Sequence, residues 1–382
     1  MRTMTITAKD LNRATLARQL LLRREPVGVV DAVRRVVALQ AQQPASPYIA
    51  LWNRLAAFDP ADLDVAFAGQ ALVKATLMRI TLHVVHADDH PPMHTAMQPT
   101  LRGARLGDRR FTESGLGAAD ADALLPDLLE FADRPRTNAE IHAWLAGRLD
   151  VPPQGVWWAV RSFAPLLHAP MGGPWSFGPR PSYVASGTPP TPYDRDLSDK
   201  HLQTLVHRYL DGFGPASVAD VAQFALVQRS RVRDALGALS AVLERLEGPG
   251  GAELYDVPGA PRPAADTPAP PRLMAMWDSV LLAYADRSRV LPPDYRRLVI
   301  RANGDVLPSL LVDGYVAGVW RQVEGGIEAT AFHPLSAEAW EGLAEEARAL
   351  TAFLVGRDHR LYRAYDRWWA DLPAAEVRVL PG

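Results

Sequence analysis

Amphipathic helices followed by two β runs around a glycine-rich or polar turn recur three times along the chain, and this order limits its fold more than any other feature. A helix-turn-helix followed by a β-wing is the winged-helix pattern. In the middle stretch, Leu124 to Phe131 reads as a helix. Thr137 or Asn138 caps a second over Ala139 to Leu149, with Glu140 placed to complete a capping box. Pro152 and Pro153 start a third through Trp157, Val160 and Phe163. The run LLHAPMGGPWSFGPRPSYVAS then predicts a hairpin with Gly172 and Gly173 at its tip.

The third stretch repeats the order. Leu197 to Phe213 is apolar at helical spacing, Pro215-Ala216-Ser217 breaks and caps Val218 to Leu226, and Arg229 to Leu243 follows. Glu244 to Val257 carries GPGG between apolar runs, the signature of a wing. In the first stretch the helices are Leu11 to Arg24, Val29 to Gln42 and Ala61 to Ala68, and LVKATLMRITLHVVHA supplies two β runs. Residues 258–272, PGAPRPAADTPAPPR, can sustain neither helix nor central strand and form a linker. Beyond it lie strand-like runs at Leu273 to Trp277, Arg297 to Ala302, Leu307 to Val312, Tyr315 to Gln322 and Ile327 to Phe332, then an amphipathic helix from Ala337 to Leu354. Asp313-Gly314 is a strong hairpin signal because a type I′ turn needs positive φ at both central residues, and a long hairpin is expected to project there. The predicted divisions are 1–115, 116–190 and 191–257 for three modules, the linker, and 273–382 for a C-terminal β-domain. The fold class is α+β, mainly helical.

Composition removes several functions. Without cysteine there is no disulfide framework, no cysteine-ligated zinc or iron–sulfur site and no thiol nucleophile. No stretch approaches the roughly 18 apolar residues that cross a bilayer, and the N-terminus lacks a signal-peptide pattern, so a cytoplasmic protein without a membrane partner is expected. The balance of 41 basic against 43 acidic side chains argues against a surface that is basic throughout. Lysine occurs only at Lys9, Lys74 and Lys200, and the remaining basic side chains are arginine, whose planar fork suits phosphate.

Several residues invite a chemical reading. Gln40 and Gln42 stand two apart where a helix is expected to give way to a kinked loop at Pro44 and Pro47. At such a fraying end both carboxamides can turn toward one cavity, where an uncharged donor–acceptor orients a water; exposed polar residues would look the same. Arg102, Arg105, Arg109 and Arg110 form the densest basic cluster, either a solvated run or a set of phosphate contacts. His83, His86, His90 and His94 are closely spaced, but Pro91 and Pro92 are expected to interrupt a helix through them and no partner has ligand spacing, so no metal is expected. Lys74 in LVKAT reads as a strand residue with a solvent-facing amine. Trp157 and Trp158 read as core and partner-facing residues of the second module.

The segments LNRATLARQLLL, ALQAQQPASPYIALWNRL, LVKATLMRITLHVV, WDSVLLAYADRSRV and LVDGYVAGVWR, in that order over roughly residues 10–355, resemble the AlkZ-like bacterial DNA glycosylases. The resemblance implies three tandem winged helices in a C-shaped arrangement with a C-terminal β-domain. It implies hydrolysis of the N-glycosidic bond of N7-alkylguanine adducts, bulky ones and interstrand cross-links included. The family signature is glutamine, an apolar residue, then glutamine or aspartate. Gln40-Ala41-Gln42 is similar to the double-glutamine branch, associated with self-resistance to DNA-alkylating natural products; the other branch would need an acid at position 42. The resemblance further implies that Arg79 and His83 grip the backbone near the lesion and that the tip at Val312, Asp313 and Gly314 faces a DNA groove.

The chemistry suits neutral side chains. An N7-alkylated guanine is already cationic and leaves as a neutral base, so the enzyme has only to stabilise an oxocarbenium-like sugar and place a water. The sequence thus predicts a monofunctional, monomeric DNA glycosylase acting on double-stranded DNA that carries alkylated purines, without cofactor. A winged-helix transcriptional regulator and a catalytically idle DNA-binding protein remain the alternatives at this stage.

Overall fold

The computed structural model describes residues 6–190, 192–358 and 361–381. Helix α1 (Ala8–Arg18) is capped by Thr7 and Asp10 acting reciprocally, and α2 (Val29–Val36) follows. Three strands come from the first stretch: β1 (Leu39–Gln40), β2 (Leu72–Thr76) and β3 (Leu82–His86). Between β1 and β2 lie α3 (Ser46–Trp52) and α4 (Pro60–Ala68). Two expectations fail here. The helix beginning at Val29 stops at Val36, because Val37 takes φ +73°, so Gln40 sits on a strand rather than at a helix end. The expected proline loop is shorter than predicted: Pro44 lies in a turn, but Pro47 stands in the first turn of α3, where a missing N–H costs nothing.

The same reasoning corrects the histidine series. His90 begins the long helix α5 (His90–Leu106) with Pro91 and Pro92 in its first turn, and the rings of His90 and His94 stack 5.5 Å apart inside the protein. Short helices α6 (Arg109–Thr112), α7 (Ala118–Ala123) and α8 (Leu125–Phe131) lead to β4 (Arg136–Thr137), α9 (Asn138–Ala146) and α10 (Pro153–Phe163). Thr137 and Glu140 form the expected capping box. Strands β5 (Leu166–His168) and β6 (Ser182–Ala185) pair, but residues 169–181 form a broad loop rather than a tight hairpin. Its four prolines cannot donate to a ladder, and Trp175 and Phe177 turn inward against Tyr48 and Phe67.

The third stretch follows its predicted order: α11 (Arg195–Phe213), α12 (Val218–Ala225), α13 (Arg229–Ala238), then β7 (Glu244–Glu247) paired with β8 (Glu253–Asp256). Residues 258–271 are irregular but anchored, with Arg18 and Arg13 donating to the carbonyls of Pro261 and Thr267. A five-stranded antiparallel sheet then forms in the order β13-β12-β11-β10-β9 from β9 (Arg272–Leu273), β10 (Ser309–Val312), β11 (Tyr315–Val323), β12 (Gly326–Ala331) and β13 (Glu376–Pro381). The expected strand at Arg297 to Ala302 is instead helix α14 (Arg296–Val299), begun by the turn at Pro293. Helix α15 (Ala337–Leu354) covers the sheet over its predicted span.

Two features of assembly position the site. The β strands of the first two stretches join into one six-stranded sheet, ordered β1-β3-β2-β5-β6-β4, with Lys74 of β2 opposite His168 of β5. The C-terminal sheet shares one apolar core with α2, α3 and α4, so the segment at 258–271 does not separate two cores. Buried ion pairs bind that junction: Arg54 holds Asp278 through two bonds of 2.8 and 2.9 Å, and Arg24 and Arg272 converge on Glu346. Losing one member of such a pair costs about 3–5 kcal/mol, because the other is left charged and dry. Among the described residues no helix is long and apolar enough to cross a membrane.

Candidate active site

Gln40 pairs with His83 across β1 and β3, and the turn between β2 and β3 folds back over that row. Arg79 and Ile80 in this turn both take the left-handed backbone, at φ +55° and +59°, a conformation that costs non-glycine residues energy and persists only where surroundings impose it. The result aims the Arg79 guanidinium inward. One Nη donates to Gln40 Oε1 and the other to the carbonyl of Phe224 at 3.1 Å. His83 completes the group: its Nε2 lies 3.3 Å from the Arg79 Nη that also binds Gln40, and its Nδ1 is 3.1 Å from the Thr81 carbonyl. Arginine only donates, so Nε2 accepts and the proton resides on Nδ1. Burial, then the charge of Arg79, brings the His83 pKa down to about 3, and this imidazole is neutral under all physiological conditions. Arg79 itself falls to about 10 through burial and then Arg287, and stays cationic.

Gln42 is exposed, and its Oε1 accepts from the Leu82 amide at 2.8 Å. It stands on the wall of a cavity of about 770 Å³, bounded by the loop at 169–181, the edge of the sheet and residues near 361–365. Gln40 does not line this cavity, so the expected convergence of both amides on one hollow is not what the structure shows. Gln40, on the edge strand β1, is buried and bonded to Arg79 instead. Each carboxamide oxygen spends one lone pair on a fixed donor and keeps the second for a water or an electron-poor atom.

The cavity wall is basic and aromatic. Lys74, Arg105, Arg161 and Arg180 stand among Trp175, Phe177, Tyr183, Tyr362 and Tyr365. Lys74 corrects its expected exposure: it is 4% exposed, its Nζ lies 4.6 Å above the Phe177 ring, and burial lowers its pKa to about 8. Period-two alternation places it outside only if one face of β2 meets water, whereas four successive residues of β2 are buried and the Phe177 ring from the loop after β5 lies against the Lys74 amine. Gln43, which no pattern singled out, donates to the Tyr365 hydroxyl at 2.7 Å on the same wall.

The remaining predicted residues separate. Arg105 lines the cavity, donating to Ser162 Oγ at 3.1 Å with its guanidinium 4.3 Å from the Trp158 ring. Arg102 leaves the DNA-contact set: both its Nη atoms bind Asp122 at 2.7 Å, so its charge is neutralised internally by an acid twenty residues on. The turn at Val312, Asp313 and Gly314 has the expected positive φ at its two central residues, but it does not project. Asp313 pairs with Arg13 and Lys9, and the Gly314 carbonyl accepts from Asn12 at 2.8 Å, which docks the tip on α1. Among the described residues no group of three or more metal-ligating side chains could hold a metal ion.

A helix-rich α+β chain whose early sheet edge carries two anchored neutral amides beside basic, aromatic walls has the make-up of an enzyme that works on nucleic acid. The sequence profile described as DNA glycosylase AlkZ-like matches residues 33–353, and the chain belongs to this family of DNA glycosylases. It is 26% identical over 341 residues to an interstrand DNA cross-link repair glycosylase of Streptomyces sahachiroi, covering 83% of this chain and 88% of that protein. Its fold is similar to the solved structure of Streptomyces sahachiroi DNA glycosylase AlkZ, with a TM-score of 0.75 over 90% of this chain and 95% of that one, at 21% identity.

Proposed function

We propose that this DNA glycosylase hydrolyses the N-glycosidic bond of N7-alkylpurines in double-stranded DNA, bulky adducts and cross-links included, through Gln40 and Gln42 and without cleaving the strand. We read the organisation behind this activity as three tandem winged helices, divided at 1–115, 116–190 and 191–257 along the sequence, with the C-terminal sheet as a brace. The observation that carries it is the anchoring of the two amides. Arg79 fixes Gln40 and the Leu82 amide fixes Gln42, so both dipoles are oriented before substrate arrives, and preorganised dipoles need no reorganisation as charge develops.

The leaving group of an N7-alkylpurine carries its own positive charge, so no acid is needed to protonate it. What remains is a water held by a carboxamide oxygen, with its own lone pair free to meet C1′ as the sugar becomes oxocarbenium-like. His83 is neutral and its acceptor nitrogen is spent on Arg79, which makes it a positioning residue rather than a base. Arg105 supports backbone contact from the cavity wall. Val312, Asp313 and Gly314 are spent on α1, and their part in the interface is to hold the first helix.

The test is release of N7-methylguanine from duplex DNA by the wild type and by Gln40→Ala and Gln42→Ala. Each substitution is expected to lower the single-turnover rate by about a hundredfold or more, with undamaged guanine untouched and the abasic strand unbroken. Release that survives both substitutions would refute the assignment. Sequence-specific binding with no base loss would make the chain a regulator instead.

A further inference from the structure

The sheet that carries the two amides presents different side chains on its two faces, because successive residues of a strand point to opposite sides. Gln40 pairs with His83, and His83 with Ala75, in the row that Arg79 binds. Lys74, His168 and Tyr183 form the neighbouring row across β2, β5 and β6, on the other face, and all three line the cavity. Thr76 stands two residues along β2 on that same face, about 7 Å away. It pairs with Leu82, whose amide holds Gln42. Lys74 and Gln42 therefore look into one hollow.

Lys74 is the unfinished part of this floor. It is 4% exposed, its Nζ lies 4.6 Å from the centre of the Phe177 ring, and among the described residues it makes neither a hydrogen bond nor an ion pair. An ammonium carries three donors, and here the protein meets none of them. Arg289 is also buried without an ion pair, but it donates to the Pro215 carbonyl at 3.0 Å and lies 3.9 Å from the Tyr284 ring centre, closed off from any cavity wall. Its contacts are complete inside the protein, whereas those of Lys74 open on a hollow.

The hollow supplies the rest of a ligand site. Its volume of about 770 Å³ falls in the range of roughly 300–1,000 Å³ that holds a drug-sized molecule. Trp175, Phe177 and Tyr183 give it aromatic walls, and Arg105, Arg161 and Arg180 add positive charge. The only carboxylate among its described lining residues, Asp358, accepts from the Trp175 indole at 2.9 Å.

We infer that this cavity seats the extrahelical substituent of the adduct, an aromatic group bearing an anionic oxygen, with its ring against Trp175 and Phe177 and its oxygen on the Lys74 ammonium. This rests on the proposed function, which places the lesion at Gln42, and names the class of adduct that the same site prefers. An anionic oxygen gives the amine the charge-assisted bond it lacks. Lys74 lies on the floor beside Phe177, where a slender substituent reaches and a phosphodiester, tied into a strand at both ends, does not. Lys74 is a specificity residue, acting on the substituent and not on the reacting atoms.

The experiment measures single-turnover base release from duplexes carrying one N7-benzylguanine or one N7-(para-carboxybenzyl)guanine, with wild type and Lys74→Met, over a range of enzyme concentration. The readout is the ratio of half-saturating concentrations for the two adducts, which partial unfolding of a preparation leaves unchanged. Wild type is expected to prefer the carboxylate by about tenfold or more, in half-saturation rather than in maximal rate, and Lys74→Met to bring the ratio to about one. A preference absent from the wild type, or one that persists in Lys74→Met, would overturn the inference. So would an equal slowing of both adducts and of N7-methylguanine in the variant, which would put the base itself on the amine. A shallower salt dependence of undamaged-duplex binding in Lys74→Met would put a backbone phosphate there and also overturn it. Failure of the glutamine assignment would be visible separately, as base release that survives both alanine substitutions.

Discussion

Lys74 offers a measurement in which the burial of one amine can be followed by pH alone. In the unfolded chain the amine keeps its proton up to about pH 10.5, whereas in the folded protein burial releases it near 8. Between those values the unfolded chain binds more protons, so raising the pH favours the folded state; below pH 8 the full penalty is present. The difference corresponds to about 3 kcal/mol. The Phe177 ring beneath the ammonium returns roughly 1–2 kcal/mol of that. Lys74→Met keeps an unbranched side chain against the same ring and removes the charge, and it is expected to stabilise the protein by about 1–2 kcal/mol at pH 7. The assay is urea denaturation of both proteins at intervals from pH 7 to 10.5, taking the difference so that other titrations cancel. The advantage of the variant should shrink steadily above pH 8. A variant less stable at pH 7, or an advantage independent of pH, would refute the reasoning.

Further outcomes follow from the same geometry. Burial, the first cause in each case, holds His83, His90, His94 and His168 neutral, with pKa values brought down to about 3, 3, 4 and 3. Unfolding lets all four take up protons below about pH 6.5, so the melting temperature is expected to fall steeply from pH 6.5 to 4.5; a flat profile would contradict their burial. Arg102→Gln strands Asp122 and is expected to cost about 1–3 kcal/mol in denaturant while leaving the salt dependence of DNA binding unchanged; a shallower slope would return Arg102 to the interface. In Gly314→Ala the new Cβ would lie 2.6 Å from Asn12 Oδ1 at φ +80°, against open space at Gly325, where φ is +85°. Gly314→Ala is expected to cost about 2–3 kcal/mol and Gly325→Ala about 1 kcal/mol, compared by denaturation midpoints.

Local signals were legible wherever the chemistry was local. The capping box at Thr137 and Glu140, the strand pair around GPGG, the helix from Ala337 to Leu354 and the two-residue turn at Asp313-Gly314 each depend on neighbours in sequence, and each stands where the pattern placed it. The glutamine pair was legible as a motif too, and the family follows from ordered segments spread along the chain. Proline misled twice, at Pro47 and at Pro91-Pro92, because the same residue that breaks a helix interior is tolerated in a first turn.

Partners distant in sequence decided the rest. Nothing near Arg102 announces Asp122, nothing near Asp313 announces Arg13 on α1, and the burial of Lys74 depends on β5 and the loop after it, about a hundred residues further along the chain. The separation of Gln40 from the cavity wall that Gln42 occupies has the same origin, in a strand pairing and an arginine brought back by a left-handed turn. Sequence by itself determined most of the elements and the chemical character of the motif, because propensity, capping and turn geometry act over a few residues. Tertiary structure alone decided which charges are spent inside the protein and which are left for DNA, because ion pairing and desolvation depend on distance in space rather than on order along the chain.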